Sequence, residues 1–143
     1  MEIRDRRCFD RMREEARLTS GFIAGMDYNA FIHNEMVKRA VTQTLANIGE
    51  LTRKVSDVAR KSQPEIPWPA IRKTRNVIAH DYEEVDFIEI WHTASVSIPE
   101  LIAVIDRIER DLGEPLYGDR EQTRNQQMIV QAIEEADAQD GKK

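Results

Sequence analysis

The chain has 143 residues, of which 33% are charged, 41% hydrophobic and 6% aromatic, and its formal net charge is −5. That length suits one ordinary domain with a tail, and so charge-rich and aromatic-poor a composition favours solvated helices over a sandwich or barrel. The acidic total excludes a general polyanion binder, and the single cysteine, Cys8, excludes an internal disulfide. A charged N-terminus with no apolar run of spanning length points to a soluble, cytoplasmic protein.

The first predicted helix runs from about Arg4 to Ile23, with Phe9, Met12, Ala16 and the Phe22/Ile23 pair on one face and Gly25 as its stop. Asp27 to His33 reads as a short turn or a single helical turn. Asn34 then caps a second helix whose apolar positions are Val37, Val41, Leu45, Ile48, Leu51, Val55 and Val58. Pro64, Pro67 and Pro69 make the next stretch a connector, because proline removes a backbone donor and restricts the residue before it. Pro69 suits the first turn of a third helix that carries Ile71, Thr74 and Ile78 inward and ends near His80. Asp86 caps a fourth helix, in which Phe87, Ile90/Trp91, Ala94 and Ile98 lead on to Leu101/Ile102, Ile105, Ile108 and Leu112. Pro99 predicts a kink or a break there, with Ser97 as a second cap, and Gly113 and Pro115 close the domain. The resulting fold class is an all-α, antiparallel bundle of four to five helices over residues 1–113. Residues 114–143 form a polar tail with a marginal helix, opened by the capping-box pair Asp119/Gln122 and fraying over its last ten residues.

Charge is unevenly spread. Between residues 53 and 75 seven basic side chains (Arg53, Lys54, Arg60, Lys61, Arg72, Lys73 and Arg75) face only Asp57 and Glu65. This basic window ends at Arg75-Asn76-Val77-Ile78-Ala79-His80-Asp81-Tyr82, which contains Arg-x4-His and then His-x-Tyr. Arginine stays cationic and clamps phosphate oxygens bidentately, and histidine exchanges a proton near neutrality. In phosphodiester cleavage His80 would deprotonate a 2′-hydroxyl or protonate the leaving oxygen, Arg75 would stabilise phosphate charge, and Asn76 would orient the hydroxyl or the imidazole. No metal and no cofactor is required for that chemistry. Positions five apart on an ideal helix differ by roughly 140°, so Arg75 and His80 do not share a face. The helix must unwind at its end, or a second copy must complete the site across a two-fold cleft. Arg53, Lys54, Arg60, Lys61, Arg72 and Lys73 would line the RNA approach to such a cleft.

The string Arg75-Asn76-x-x-x-His80-x-Tyr82, preceded by Ile48-Gly49-Glu50 and Pro64-Glu65-Ile66-Pro67-Trp68 and followed by Val85-Asp86 and Ile90-Trp91, resembles the HepT-like branch of the HEPN superfamily over roughly residues 4 to 112. The resemblance implies a helical homodimer that is the ribonuclease toxin of a type VII toxin–antitoxin pair, with Arg75, Asn76 and His80 as a metal-independent site. It further implies a partner, an MNT-type nucleotidyltransferase antitoxin that transfers AMP to Tyr82. Asp81 departs from the Gly that many relatives carry and places an acid beside His80. The alternative within the same resemblance is a non-catalytic HEPN subunit that binds nucleotide or scaffolds a nucleotidyltransferase complex. Trp68 and Trp91 read as core anchors, and Cys8 as an inert packed thiol.

Overall fold

The computed structural model describes residues 1–77, 82–117 and 120–141 and is all-α, with no strand among those residues. The first helix, α1 (Ile3–Phe22), sends Cys8, Phe9, Met12 and Ala16 inward. A short α2 (Tyr28–Ile32) follows, capped by the Asp27 carboxylate, which accepts from Ala30 N. The long α3 (Glu35–Lys54) starts on Asn34, whose side chain accepts from Val37 N, and buries Val37, Val41, Leu45, Ile48 and Leu51. These caps satisfy donors that a helix start otherwise leaves open.

The expected second helix is cut short at Val55. Ser56 turns the chain and caps α4 (Asp57–Ser62), and Val58, expected in the apolar stripe, is 81% exposed. The cause is a buried carboxylate: Asp5 of α1 accepts from Ser56 N at 2.8 Å and from Ser56 Oγ at 2.7 Å, fixing the corner against α1. Trp68 opens α5 (Trp68–Thr74) and packs its ring 6.3 Å from Phe9. The α-helix ends at Thr74, earlier than the predicted end near His80, and a 3-10 turn carries Arg75–Val77. A second 3-10 turn, Tyr82–Glu84, leads to Asp86, which accepts from Ile88 N and Glu89 N at the start of α6 (Phe87–His92).

A π-helical turn, Thr93–Ser97, joins α6 to α7 (Ile98–Leu112), so the rod is continuous through Pro99 and Ser97 caps nothing. The spacing explains the wide turn. Ile90, Ala94 and Ile98 are all buried yet recur every four residues, a rhythm that drifts about 80° off one face of an ideal α-helix over eight residues. One wide turn absorbs that drift, and Pro99, lacking an N–H, tolerates it. The rod Phe87–Leu112 is long and apolar enough, by length and composition, to cross a membrane. Its stripe Ile98, Leu101, Ile105 and Ile108 is buried in the bundle, as in a core helix.

Helix α3 is the hub, packing on α1 and α5, while α7 packs on α1. Buried Arg13 staples α1 to α7: one terminal nitrogen donates to Asp106 at 3.0 Å and Glu109 at 3.1 Å, the other to Glu109 at 2.8 Å. Gly113 turns the chain at φ +69°, and Leu116 folds back into the core, its N–H donating to Glu109 at 3.1 Å. Beyond it α8 (Arg120–Asp140) is helical through the stretch expected to fray. Its side chains from 127 onward are exposed. The proposed Asp119/Gln122 cap lies outside the described residues.

Among the described glycines the one closely approached is Gly49 of α3, which passes against Arg75. A Cβ at Gly49 would lie 2.8 Å from Arg75 N and 2.9 Å from its Cα and Cβ. No rotamer change relieves a collision with backbone, so the overpacking cost of about 1–3 kcal/mol exceeds the roughly 1 kcal/mol that alanine gains in a helix. Gly49→Ala should therefore lower the thermal midpoint by a few degrees, whereas Gly21→Ala, in open space, should raise it or leave it unchanged. Equal midpoints for Gly49→Ala and the parent would show that the approach is not constraining. A second test concerns Glu109, whose carboxyl is held below its ordinary 4.5 first by the hydrogen bond from Arg13. A carboxyl depressed in the folded state stabilises above its unfolded pKa and loses that contribution as pH falls through the folded value. The stability gap between parent and Glu109→Gln, followed by urea titration, should be open at neutral pH and close below pH 4.5. A gap independent of pH would contradict the assignment.

Candidate active site

The site is built where α3 passes under the start of the 3-10 turn. Thr74, buried, shares its hydroxyl hydrogen between the carbonyls of Leu45 at 2.9 Å and Ile71 at 2.5 Å, tying the end of α5 to α3. With Thr74 tied and Gly49 admitting the backbone, Arg75 emerges beside Glu50. Its Nε donates to Glu50 Oε1 at 3.0 Å while the side chain stays 42% exposed. Among the described residues the terminal nitrogens of that guanidinium have no hydrogen-bond partner. Glu50 also lies 3.5 Å from Arg53.

Around Arg75 the chain forms a cleft of about 290 Å³ lined by Thr52, Arg53, Arg60, Arg72, Arg75 and Asn76. Four arginines on one concave surface make a ready seat for phosphate oxygens. Asn76 also lines a smaller, mixed-charge cavity of about 120 Å³ beside Lys73, Glu84, Asp86 and Glu89, and thus stands on the ridge between the two. His80 and Asp81 lie outside the described residues, so the described part of the expected triad is Arg75 and Asn76.

The six expected approach residues divide. Arg53, Arg60 and Arg72 line the cleft, Lys54 lines a separate groove against α1, Lys73 reaches Glu89 at 3.8 Å on the other side, and exposed Lys61 lines neither. Arg60 has structural work as well. Its guanidinium donates to the carbonyls of Thr52 at 3.3 Å and Val55 at 3.0 Å, closing the end of α3, and sits 6.0 Å from the Trp68 ring.

Tyr82 is half-buried. Its ring packs edge-on against Phe87 at 5.2 Å, under the Arg39 guanidinium at 4.2 Å, and its hydroxyl donates to Glu35 Oε2 at 3.0 Å. Burial first, then the Glu35 hydrogen bond and charge, raise the phenol pKa, so the hydroxyl keeps its proton near neutrality. Glu35 is itself held below the usual carboxylate range, first by the hydrogen bond from Lys38 and then by that from Tyr82.

Sequence reading missed two contributors. Glu50 was visible only as a helix-face carboxylate, yet its place directly after the close-approach glycine makes it the anchor of Arg75. Glu35 carries no sequence signal for its bond to a tyrosine 47 positions away. Among the described residues no group of three or more His, Cys, Asp or Glu side chains is placed to hold a metal ion. Cys8, at the floor of the α1 groove, is buried, and that burial raises its thiol pKa, the state of an unreactive thiol.

Comparison with known proteins finds relatives named as ribonucleases. A Methanocaldococcus jannaschii protein named "Putative RNase MJ0125" is 37% identical over 93 residues, which cover 65% of this chain and 80% of that protein. A second from the same organism, "Putative RNase MJ1216", is 34% identical over 64% of this chain and 75% of its own length. "Probable ribonuclease HepT" of Thermococcus cleftensis is 26% identical over 68% of this chain and 88% of its own. No solved structure matches. The family described as "Ribonuclease HepT-like" matches residues 12–108, a span that contains Gly49, Glu50, the arginine cleft and Tyr82, and the chain belongs to that family.

Proposed function

We propose that the protein is a metal-independent endoribonuclease, the toxin of a type VII toxin–antitoxin pair, acting as a homodimer. The observation that carries the reading is the guanidinium of Arg75, held by Glu50 at the edge of an arginine-lined cleft and next to Asn76. An RNA phosphate entering the cleft meets Arg53, Arg60 and Arg72 and is clamped by the free terminal nitrogens of Arg75. Charge that builds on the phosphate in the transition state is stabilised there, while His80, five residues on, serves as the proton-transfer group. A second copy facing the first brings its own Arg75 and His80 to the same phosphate path, which answers the angular mismatch between positions 75 and 80. The names of the ribonuclease relatives support the same chemistry.

The regulatory half of the proposal rests on Tyr82. A nucleotidyltransferase partner transfers AMP to it from ATP: the phenolic oxygen bonds the α-phosphorus, pyrophosphate leaves, and the proton now given to Glu35 is lost. The added phosphate carries negative charge, is repelled by the Glu35 carboxylate and competes for cations that RNA uses.

The nuclease reading is tested by incubating purified protein with single-stranded RNA in EDTA, beside Arg75→Ala and His80→Ala. Cleavage by the parent and a loss of at least about 100-fold in each variant is expected. Absence of cleavage by the folded parent would move the protein to a nucleotide-binding or scaffold role, and full activity in the variants would remove the assigned residues. For Tyr82, co-production with an MNT-type nucleotidyltransferase should add the mass of one adenylyl group to the parent and none to Tyr82→Phe, which keeps the packing on Phe87. The same mass gain in both proteins would exclude Tyr82 as the acceptor.

A further inference from the structure

On the other side of α3 from Asn76 a second groove, larger than the first at about 420 Å³, runs between α1 and α3. It is lined by Arg4, Arg7, Arg11 and Lys54, with Cys8, Asn47 and Leu51 below and Glu50 as its one carboxylate. Arg4, Arg7 and Arg11 follow at steps of three and four residues, so they share one face of α1 and span about 10 Å along it. All four cations are exposed, and none is in an ion pair among the described residues. The contrast on the same helix is clear: Arg6, Arg13 and Arg17 are each paired with a carboxylate. The guanidinium of Arg7 instead lies 4.8 Å over the ring of Tyr117. A row of unpaired cations along a groove repels itself unless an anion occupies it.

Glu50 links this groove to the cleft, for it lines the groove and also holds Arg75. A chain leaving the cleft over Glu50 and Lys54 enters the groove directly. Arg4, Arg7 and Arg11 precede residue 12, where the family match begins.

We infer that the α1–α3 groove is a second phosphate-binding track, which takes the sugar-phosphate backbone of the same single-stranded RNA as it leaves the cleft at Arg75. The inference rests on the nuclease reading for its direction but has its own test. Arg4, Arg7 and Arg11 each neutralise a phosphate, so they add affinity and salt dependence to long RNA and leave a ligand confined to the cleft untouched.

Binding is followed by fluorescence anisotropy with 2′-O-methyl RNA, which offers no 2′-hydroxyl for cleavage, in lengths of about four and about twenty nucleotides. The triple variant Arg4→Gln/Arg7→Gln/Arg11→Gln should bind the long oligonucleotide about tenfold more weakly at about 100 mM salt. The slope of log K against log salt should fall by about 2, at roughly 0.7 per lost phosphate contact. The short oligonucleotide should bind parent and variant alike, and the matching triple lysine variant should recover the slope. An unchanged slope for long RNA, or an equal loss for short and long RNA, overturns the proposal. If the glutamine triple variant does not fold, Lys54→Gln replaces it, with an expected slope change of about 0.7 and the same criterion. The two readings fail separately. A parent that cleaves nothing but shows the length-dependent loss keeps the groove and loses the nuclease, while an active parent whose variant binds as it does keeps the nuclease and loses the groove.

Discussion

The geometry of the arginine cleft depends on one contact, the passage of Gly49 beneath Arg75. A side chain at position 49 would occupy the space of the Arg75 backbone, so α3 and the 3-10 turn approach only because that side chain is missing. Everything that follows inherits this proximity. Thr74 reaches the Leu45 carbonyl, Glu50 reaches the Arg75 Nε, and the arginines of α3, α4 and α5 converge on one concavity. A fold of few aromatics thus gains a rigid site from a backbone contact, with little call on bulky packing.

Charge in this molecule is arranged by pairing. The basic residues fall into two groups by their surroundings, some buried against carboxylates and some lining a cleft. Arg13 is buried against Asp106 and Glu109 and serves the joint between α1 and α7, whereas Arg72 and the terminal nitrogens of Arg75 face a cleft. Glu50 belongs to both groups. It neutralises Arg75 in the resting protein, so an incoming phosphate competes with a carboxylate already in place.

The all-α fold class, the caps at Asn34 and Asp86, and the inward faces of α1, α3 and α7 were legible in the sequence, because each follows from local periodicity or from a side chain bonding its own backbone. The errors came from long-range contacts. Nothing near Val58 announces that Asp5, 51 residues before Ser56, will end the helix there, and nothing near Pro99 separates a kink from a π turn. The site divides in the same way. Arg75 and Asn76 were legible because their chemistry is carried in one short string. The Glu35–Tyr82 bond and the groove of Arg4, Arg7 and Arg11 were not, since each depends on helices brought together by the core.

The π turn between α6 and α7 has a consequence for how this rod tolerates change. It is an insertion already present in the architecture: five residues do the work of one wide turn and bring Ile90 and Ile98 to a common side. Deleting one residue from Thr93–Ser97 would leave Ile90 and Ile98 seven positions apart, about 20° from a common face of an ordinary α-helix, so a shortened rod would keep both in the interior. The wide turn is therefore a phase compensator, which takes up one surplus residue and keeps the inward faces of α6 and α7 aligned.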